Sequence, residues 1–129
     1  MPTVFERIVA GEIPCYRIWE DEEHLAFLDI NPRVEGHTLV IPKHPYEELY
    51  AMPEAAYANL WTAARTVAHL LRERTGCARV VTVVVGYEVP HVHIHLLPTN
   101  SIADFPFPPV DEDARSRLAE TAARLRGES

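Results

Sequence analysis

Lysine is almost missing from this chain. Lys43 stands alone beside 11 arginines, against 19 Asp and Glu, for a formal net charge of −7 over 129 residues. A protein this acidic offers no clustered cationic stripe for a nucleic-acid backbone, so no nucleic-acid partner is expected. A few local donors can still hold one small anion whatever the net charge. Cysteine is scarce too: Cys15 and Cys77 form no CxxC pair, which excludes a cysteine zinc knuckle and leaves a disulfide framework without support. Reduced thiols and a cytoplasmic setting are the expectation. Long apolar runs are missing, since Val80 to Gly86 spans 7 residues and a bilayer needs roughly 20. No membrane partner is expected. The opening residues MPTVFERIVAGE carry Glu6 where an export signal needs an apolar block.

What is present suffices for one globular unit. With 47% apolar residues, a chain of 129 residues can hide about two-thirds of its unfolded surface without a disulfide. Thr3 and Glu6 have capping-box spacing ahead of a short helix over Val4–Ala10, which Gly11 stops. Tyr16–Glu20 and Leu25–Ile30 read as a hairpin across Asp21-Glu22-Glu23, and His37–Ile41 reads as a third strand closed by Pro42. From Glu54 to Gly76, Tyr57, Leu60, Trp61, Ala64, Val67, Ala68 and Leu71 recur at helical spacing. The β-branched run Val80–Val85 predicts a strand covered on both faces. His91–Leu97 predicts a fifth strand, Phe105–Pro109 an extended segment, and Asp111–Arg126 one amphipathic helix with Ala114, Leu118, Ala122 and Leu125 inward. His24 and His69 are expected at the surface. The resulting class is α+β: a single five-stranded antiparallel sheet, a short N-terminal helix, one long helix and a C-terminal helix. One domain over 1–129 is expected, with its core over 3–98 and an extended proline-rich segment and helix over 99–129.

The chemistry concentrates in Pro90-His91-Val92-His93-Ile94-His95-Leu96-Leu97. At a strand's period of two, His91, His93 and His95 share one face while Val92, Ile94 and Leu96 enter the core. Three explanations compete. A merely solvated polar face is improbable at this strict spacing. Metal ligation cannot use the whole row, because His91 and His95 lie about 13 Å apart along a strand and zinc nitrogens sit about 2.0–2.1 Å from the ion. Two of the row with His37 or Asp29 could serve a metal-dependent hydrolase. The third explanation is nucleophilic attack at phosphorus by a neutral imidazole whose other nitrogen is held by an acceptor, with neighbouring rings assisting.

The run His91-Val92-His93-Ile94-His95-Leu96-Leu97 resembles the motif of the histidine triad (HIT) family of nucleotide hydrolases and transferases. The likeness extends over Glu12-Ile13-Pro14, Phe27-Leu28-Asp29-Ile30-Asn31-Pro32 and Gly36-His37-Thr38-Leu39-Val40-Ile41-Pro42. It is strongest toward the branch containing nucleoside phosphoramidases, and it implies a nucleoside phosphoramidase or a dinucleoside polyphosphate hydrolase-like activity. The resemblance implies a homodimer that takes a purine nucleotide or nucleotide conjugate and needs no cofactor. It also implies that His93 attacks the α-phosphorus to form a nucleotidyl-histidine and that His95 contacts the phosphate and assists the leaving group. His91 would support the row, His37 lie beside it, Asp29 bind the ribose hydroxyls, and Val4, Phe5, Ile8, Phe27 and Ile30 enclose the base. His44 matches a zinc-binding histidine of some relatives, but Thr3 and Glu6 stand where their cysteines would be, so no metal is predicted.

One stretch departs from the family. Val83-Val84-Val85-Gly86-Tyr87-Glu88-Val89-Pro90 is shorter than the usual glycine-rich loop and puts Tyr87 and Glu88 where hydrogen-bond donors to the phosphates are customary. A carboxylate there repels a phosphate unless neutralised or turned away. Slow turnover, a cationic leaving group, or a nucleotide-binding interaction protein with little turnover are the consequences to weigh.

Overall fold

The computed structural model describes residues 2–128. Its regular elements are α1 (Val4–Val9), β1 (Arg17–Glu20), β2 (His24–Leu28), β3 (Thr38–Pro42), α2 (Glu54–Thr75), β4 (Arg79–Val83), β5 (Ile94–Thr99), α3 (Glu112–Arg115) and α4 (Leu118–Leu125), with short 3₁₀ turns at Leu49–Ala51 and Ile102–Asp104. The five strands form one sheet in the order β1-β2-β3-β5-β4, every pairing antiparallel. The expected α+β architecture is what is found.

Register explains how the sheet serves two purposes. Phe27, Leu39, His95 and Val83 are paired across adjacent strands and so share one face. The alternate residues Ala26, Val40, Ile94 and Leu96 pack with Leu60, Ala63, Ala64, Val67 and Leu71 of α2 in the main core. A smaller core under α1 joins Phe5 to Leu25, Phe27, Leu39 and Ile41. Helix α2 therefore fills one face of β5, and the other face is free to carry chemistry.

Several local readings hold. Thr3 and Glu6 form the reciprocal capping box, and α2 ends on Gly76 with φ of 71°. Gly36 is demanded twice over: its φ is 87°, and a Cβ there would lie 3.1 Å from the Pro98 side chain.

Other readings need correction. The fifth strand begins at Ile94, not His91, because Pro42 pairs with His24 and turns its carbonyl to the His91 ring, and the Val92 N–H goes to Tyr46 O at 2.8 Å. Strand β4 is a sheet edge with Thr82 exposed, so its β-branched run is not covered on both faces. The C-terminal helix is two short helices, broken where the Ser116 hydroxyl bonds back to Asp113 O at 2.7 Å. Ala114, Leu118 and Leu125 are exposed rather than inward, and only Ala122 of that set is half-buried. His69 is exposed as expected, but His24 is buried, its ring Nδ1 3.0 Å from Asp21 Oδ1. No helix among the described residues is long and apolar enough to cross a membrane.

Candidate active site

A cavity of about 720 Å³ opens on the face of the sheet opposite α2. That is within the range of small-molecule sites, about 300–1,000 Å³. It is lined by Val4, Phe5 and Ile8 of α1, by Phe27, Asp29 and Ile30 from the end of β2, by His37, by Tyr87 and Glu88, and by His93 and His95. Every residue expected to hold substrate thus borders one space, while His91 does not.

The set expected to enclose a base is unequal. Phe5 and Phe27 are buried, and their rings meet edge to face at 5.8 Å. Ile30 is 78% exposed and Val4 43% exposed. Strand β2 stops at Leu28, and Asp29 turns the chain by accepting the Asn31 N–H at 2.8 Å, so Ile30 no longer belongs to the sheet. Tyr87 is 94% exposed, and Glu88 is also exposed.

The histidines sort by their hydrogen bonds. His91 is fully buried, with Nε2 2.8 Å from Pro42 O, which makes that nitrogen the donor. Its Nδ1 faces the Thr3 hydroxyl at 3.4 Å. His93 Nδ1 lies 2.8 Å from His91 O and must also carry a proton, leaving the Nε2 lone pair unengaged by any described residue. The Phe5 ring holds His93 edge to face, centroids 4.9 Å apart.

His37 and His95 follow the opposite rule. The Arg33 backbone N–H donates to His37 Nδ1 at 3.1 Å, so the neutral ring carries its proton on Nε2. That proton is shared with His95 Nδ1 at 2.9 Å, and Asp29 Oδ2 stands 3.5 Å from the same His37 nitrogen. With Nδ1 accepting, His95 presents an Nε2–H donor. Neighbouring rings 5.1 Å apart therefore offer contrasting groups: a lone pair on His93 and a donor on His95.

Burial disfavours the charged forms of three of these rings, His95, His37 and His91. Burial pulls the His95 pKa down to about 4, and the adjacent His93 and His37 rings add to the shift. Burial also lowers His37, partly opposed by Asp29, and lowers His91, partly opposed by the Pro42 carbonyl. Asp29, His37 and His95 bring one ligand atom each within 4.8 Å of one another, the only such cluster among the described residues. It is a poor metal cage, because His37 Nε2 would have to surrender its proton while Nδ1 still accepts from Arg33. At the other candidate position, the Thr3 hydroxyl and Glu6 carboxylate are engaged with each other's backbone amides.

Among the lining residues to which the sequence assigned no site role are Phe105 and Arg33. Phe105, half-buried at the cavity wall, belongs to the Phe105–Pro109 segment, for which the sequence left covering the pocket and reaching a neighbouring subunit both open. Arg33 is the only lysine or arginine among the described residues that line the cavity, and its signal was a cation four residues after Asp29 in a lysine-poor chain.

Comparisons with known proteins agree with this geometry. An uncharacterized HIT-like protein of Methanocaldococcus jannaschii is 42% identical over 100 residues, covering 74% of this chain and 77% of that protein. The adenosine 5'-monophosphoramidase HNT1 of Saccharomyces cerevisiae is 31% identical, covering 96% and 83%. A crystal structure of a Zn-bound histidine triad family protein from Mycobacterium smegmatis superimposes with a TM-score of 0.74 at 31% identity, covering 96% and 95%. Residues 10–102 match the HIT domain. With the fold, the histidine row and these likenesses in agreement, the chain belongs to the HIT domain family.

Proposed function

We propose that the protein is a nucleotide hydrolase or nucleotidyl transferase that cleaves a nucleoside monophosphate conjugate at its α-phosphorus. The observation that carries this reading is His93: its Nδ1–H is pinned to His91 O at 2.8 Å, and its Nε2 lone pair has no partner among the described residues, in a ring otherwise buried beside a nucleotide-sized cavity. A purine would lie among Val4, Phe5, Ile8, Phe27 and Ile30, and Asp29 would take the ribose hydroxyls. The likeness to a yeast adenosine 5'-monophosphoramidase supports an amine leaving group.

In the first step His93 Nε2 forms a bond to phosphorus as the bond to the leaving nitrogen breaks. The amine departs neutral, carrying a proton taken from solvent. The Nδ1–H stays on the His91 carbonyl and steadies the charge developing on the ring. His95, neutral at physiological pH, assists as an Nε2–H donor to a phosphate oxygen rather than as an acid. Water then attacks the same phosphorus, His93 leaves with the bonding pair, and a water proton passes to solvent. His91 takes no part in bond making; it positions His93 through its carbonyl.

The exposure of Tyr87 and Glu88 favours one second reading, a nucleotide-binding protein with little turnover. A homodimer belongs to the proposal as well: edge strand β4 and the exposed part of Trp61 are surfaces a second copy would cover. The deciding experiment mixes the protein with an adenylated amine and looks for a nucleotide on His93 by mass spectrometry. Labelling that disappears together with turnover in His93→Ala is expected. Wild-type rates in that variant, without labelling, would refute the reading.

A further inference from the structure

A nucleotide phosphate entering this cavity meets an unfavourable charge balance. Among the described residues that line it, Asp29 and Glu88 are the carboxylates, and Arg33 is the only lysine or arginine. The shortened loop at Gly86-Tyr87-Glu88 offers an acid where a donor to phosphate would be useful. Something else must hold the anion.

The geometry points to Arg33 as the phosphate-binding cation of this site, its guanidinium taking the non-bridging oxygens of the α-phosphate beside His95. Three observations carry this inference, which rests on the nucleotide reading above. Arg33 borders the cavity, and its position is fixed by its own backbone, whose N–H is bonded to His37 Nδ1 at 3.1 Å. Its charge reaches the phosphate end of the site, since Arg33 is among the groups that lower the pKa of both His37 and His95. Its guanidinium is free: among the described residues Arg33 makes no ion pair, and its side chain is exposed. A planar fork of donors suits a phosphate, and each charge-assisted hydrogen bond there is stronger than a neutral one. Arg33 would thereby supply part of what the altered loop lacks and offset Glu88.

A side-chain substitution isolates this role, because the backbone N–H that sets the His37 tautomer is retained. Calorimetry of adenosine and of adenosine monophosphate is carried out on the wild-type protein, Arg33→Gln and Arg33→Lys. Loss of a charge-assisted bond predicts that Arg33→Gln binds the monophosphate about 10- to 100-fold more weakly while adenosine binding is unchanged. Arg33→Lys, retaining a point charge without the fork, falls between. Added salt weakens monophosphate binding more in the wild type than in Arg33→Gln. Three results would overturn the assignment. Undiminished monophosphate binding by Arg33→Gln refutes it and leaves the nucleotide reading standing. Equal weakening of adenosine and monophosphate makes Arg33 structural. Failure of the wild type to bind either ligand removes the nucleotide reading and this assignment together.

Discussion

Acid should weaken this fold through its histidines before its carboxylates titrate, and His95 lets the size of the effect be worked out. Its pKa drops from an ordinary 6.5 to about 4 in the folded chain, chiefly from burial. Between those values the unfolded chain binds the proton that the folded chain refuses, so stability falls as pH falls. The contribution is fully present above about pH 6.5, decreases as pH drops toward 4, and is gone below. Linkage puts the loss at pH 5 at about 2 kcal/mol, and at about 1–2 kcal/mol once solvent screening on the cavity side is allowed for. His37 and His91, also lowered, act in the same direction. The carboxylates of Glu20 and Asp21 have lowered pKa values, so their contributions are lost below the ordinary carboxylate range, in a later window. Urea denaturation at about pH 7.5 and pH 5 reads the difference, and the His95 share alone corresponds to roughly 1 M in the midpoint. His95→Gln, which cannot titrate, should lose about 1–2 kcal/mol less than the wild type over the same interval. An equal loss in both proteins would refute the claim that His95 is held neutral by burial.

Three further outcomes follow from the same contacts. If His95 acts as a neutral donor, His95→Gln should retain more activity than His95→Ala, which loses about 10²–10³ in kcat; equal defects would contradict the donor role. Thr3→Ala removes the cap of α1 and the hydroxyl facing His91, and should lower stability by about 1–2 kcal/mol in a denaturation measurement. Glu88→Gln should shift preference away from phosphoramidates and toward dinucleotide substrates in kcat/KM, and an unchanged ratio would dismiss a role for that carboxylate.

What could be read from the chain, and what could not, divides by range. The alternation of histidine with Val92, Ile94 and Leu96 was legible because a strand's two faces follow sequence parity, and Ile94 and Leu96 indeed pack on α2. The capping box and the Gly76 stop were legible because each is settled within a few residues. His91 shared the pattern of His93 yet lies outside the cavity that His93 lines. The reason is Pro42, a residue 49 positions away, whose carbonyl the His91 ring takes. His24 likewise became buried through where β2 lies in the sheet, which its own neighbourhood did not announce. Leu118 and Leu125 carried a helical stripe whose periodicity said nothing about whether a surface would meet it.

The same distinction governs the chemistry. Nothing in the spelling His-x-His tells the two rings apart, because an imidazole's donor and acceptor are exchanged by its tautomer. The backbone breaks that symmetry. A carbonyl from His91 makes His93 donate through Nδ1, while an amide from Arg33, relayed by His37, makes His95 accept through Nδ1. The two cavity-lining rings are thus left with different Nε2 atoms, a lone pair on His93 and an N–H on His95, which the proposed reaction uses for attack and for stabilising its product. Burial protects the arrangement, since a proton added to His95 would place a second donor against the His37 Nε2–H and break the 2.9 Å link. The proposed division of labour between two chemically identical residues therefore rests on two main-chain groups, and side-chain substitutions at Arg33 leave it intact while substitutions at His37 do not.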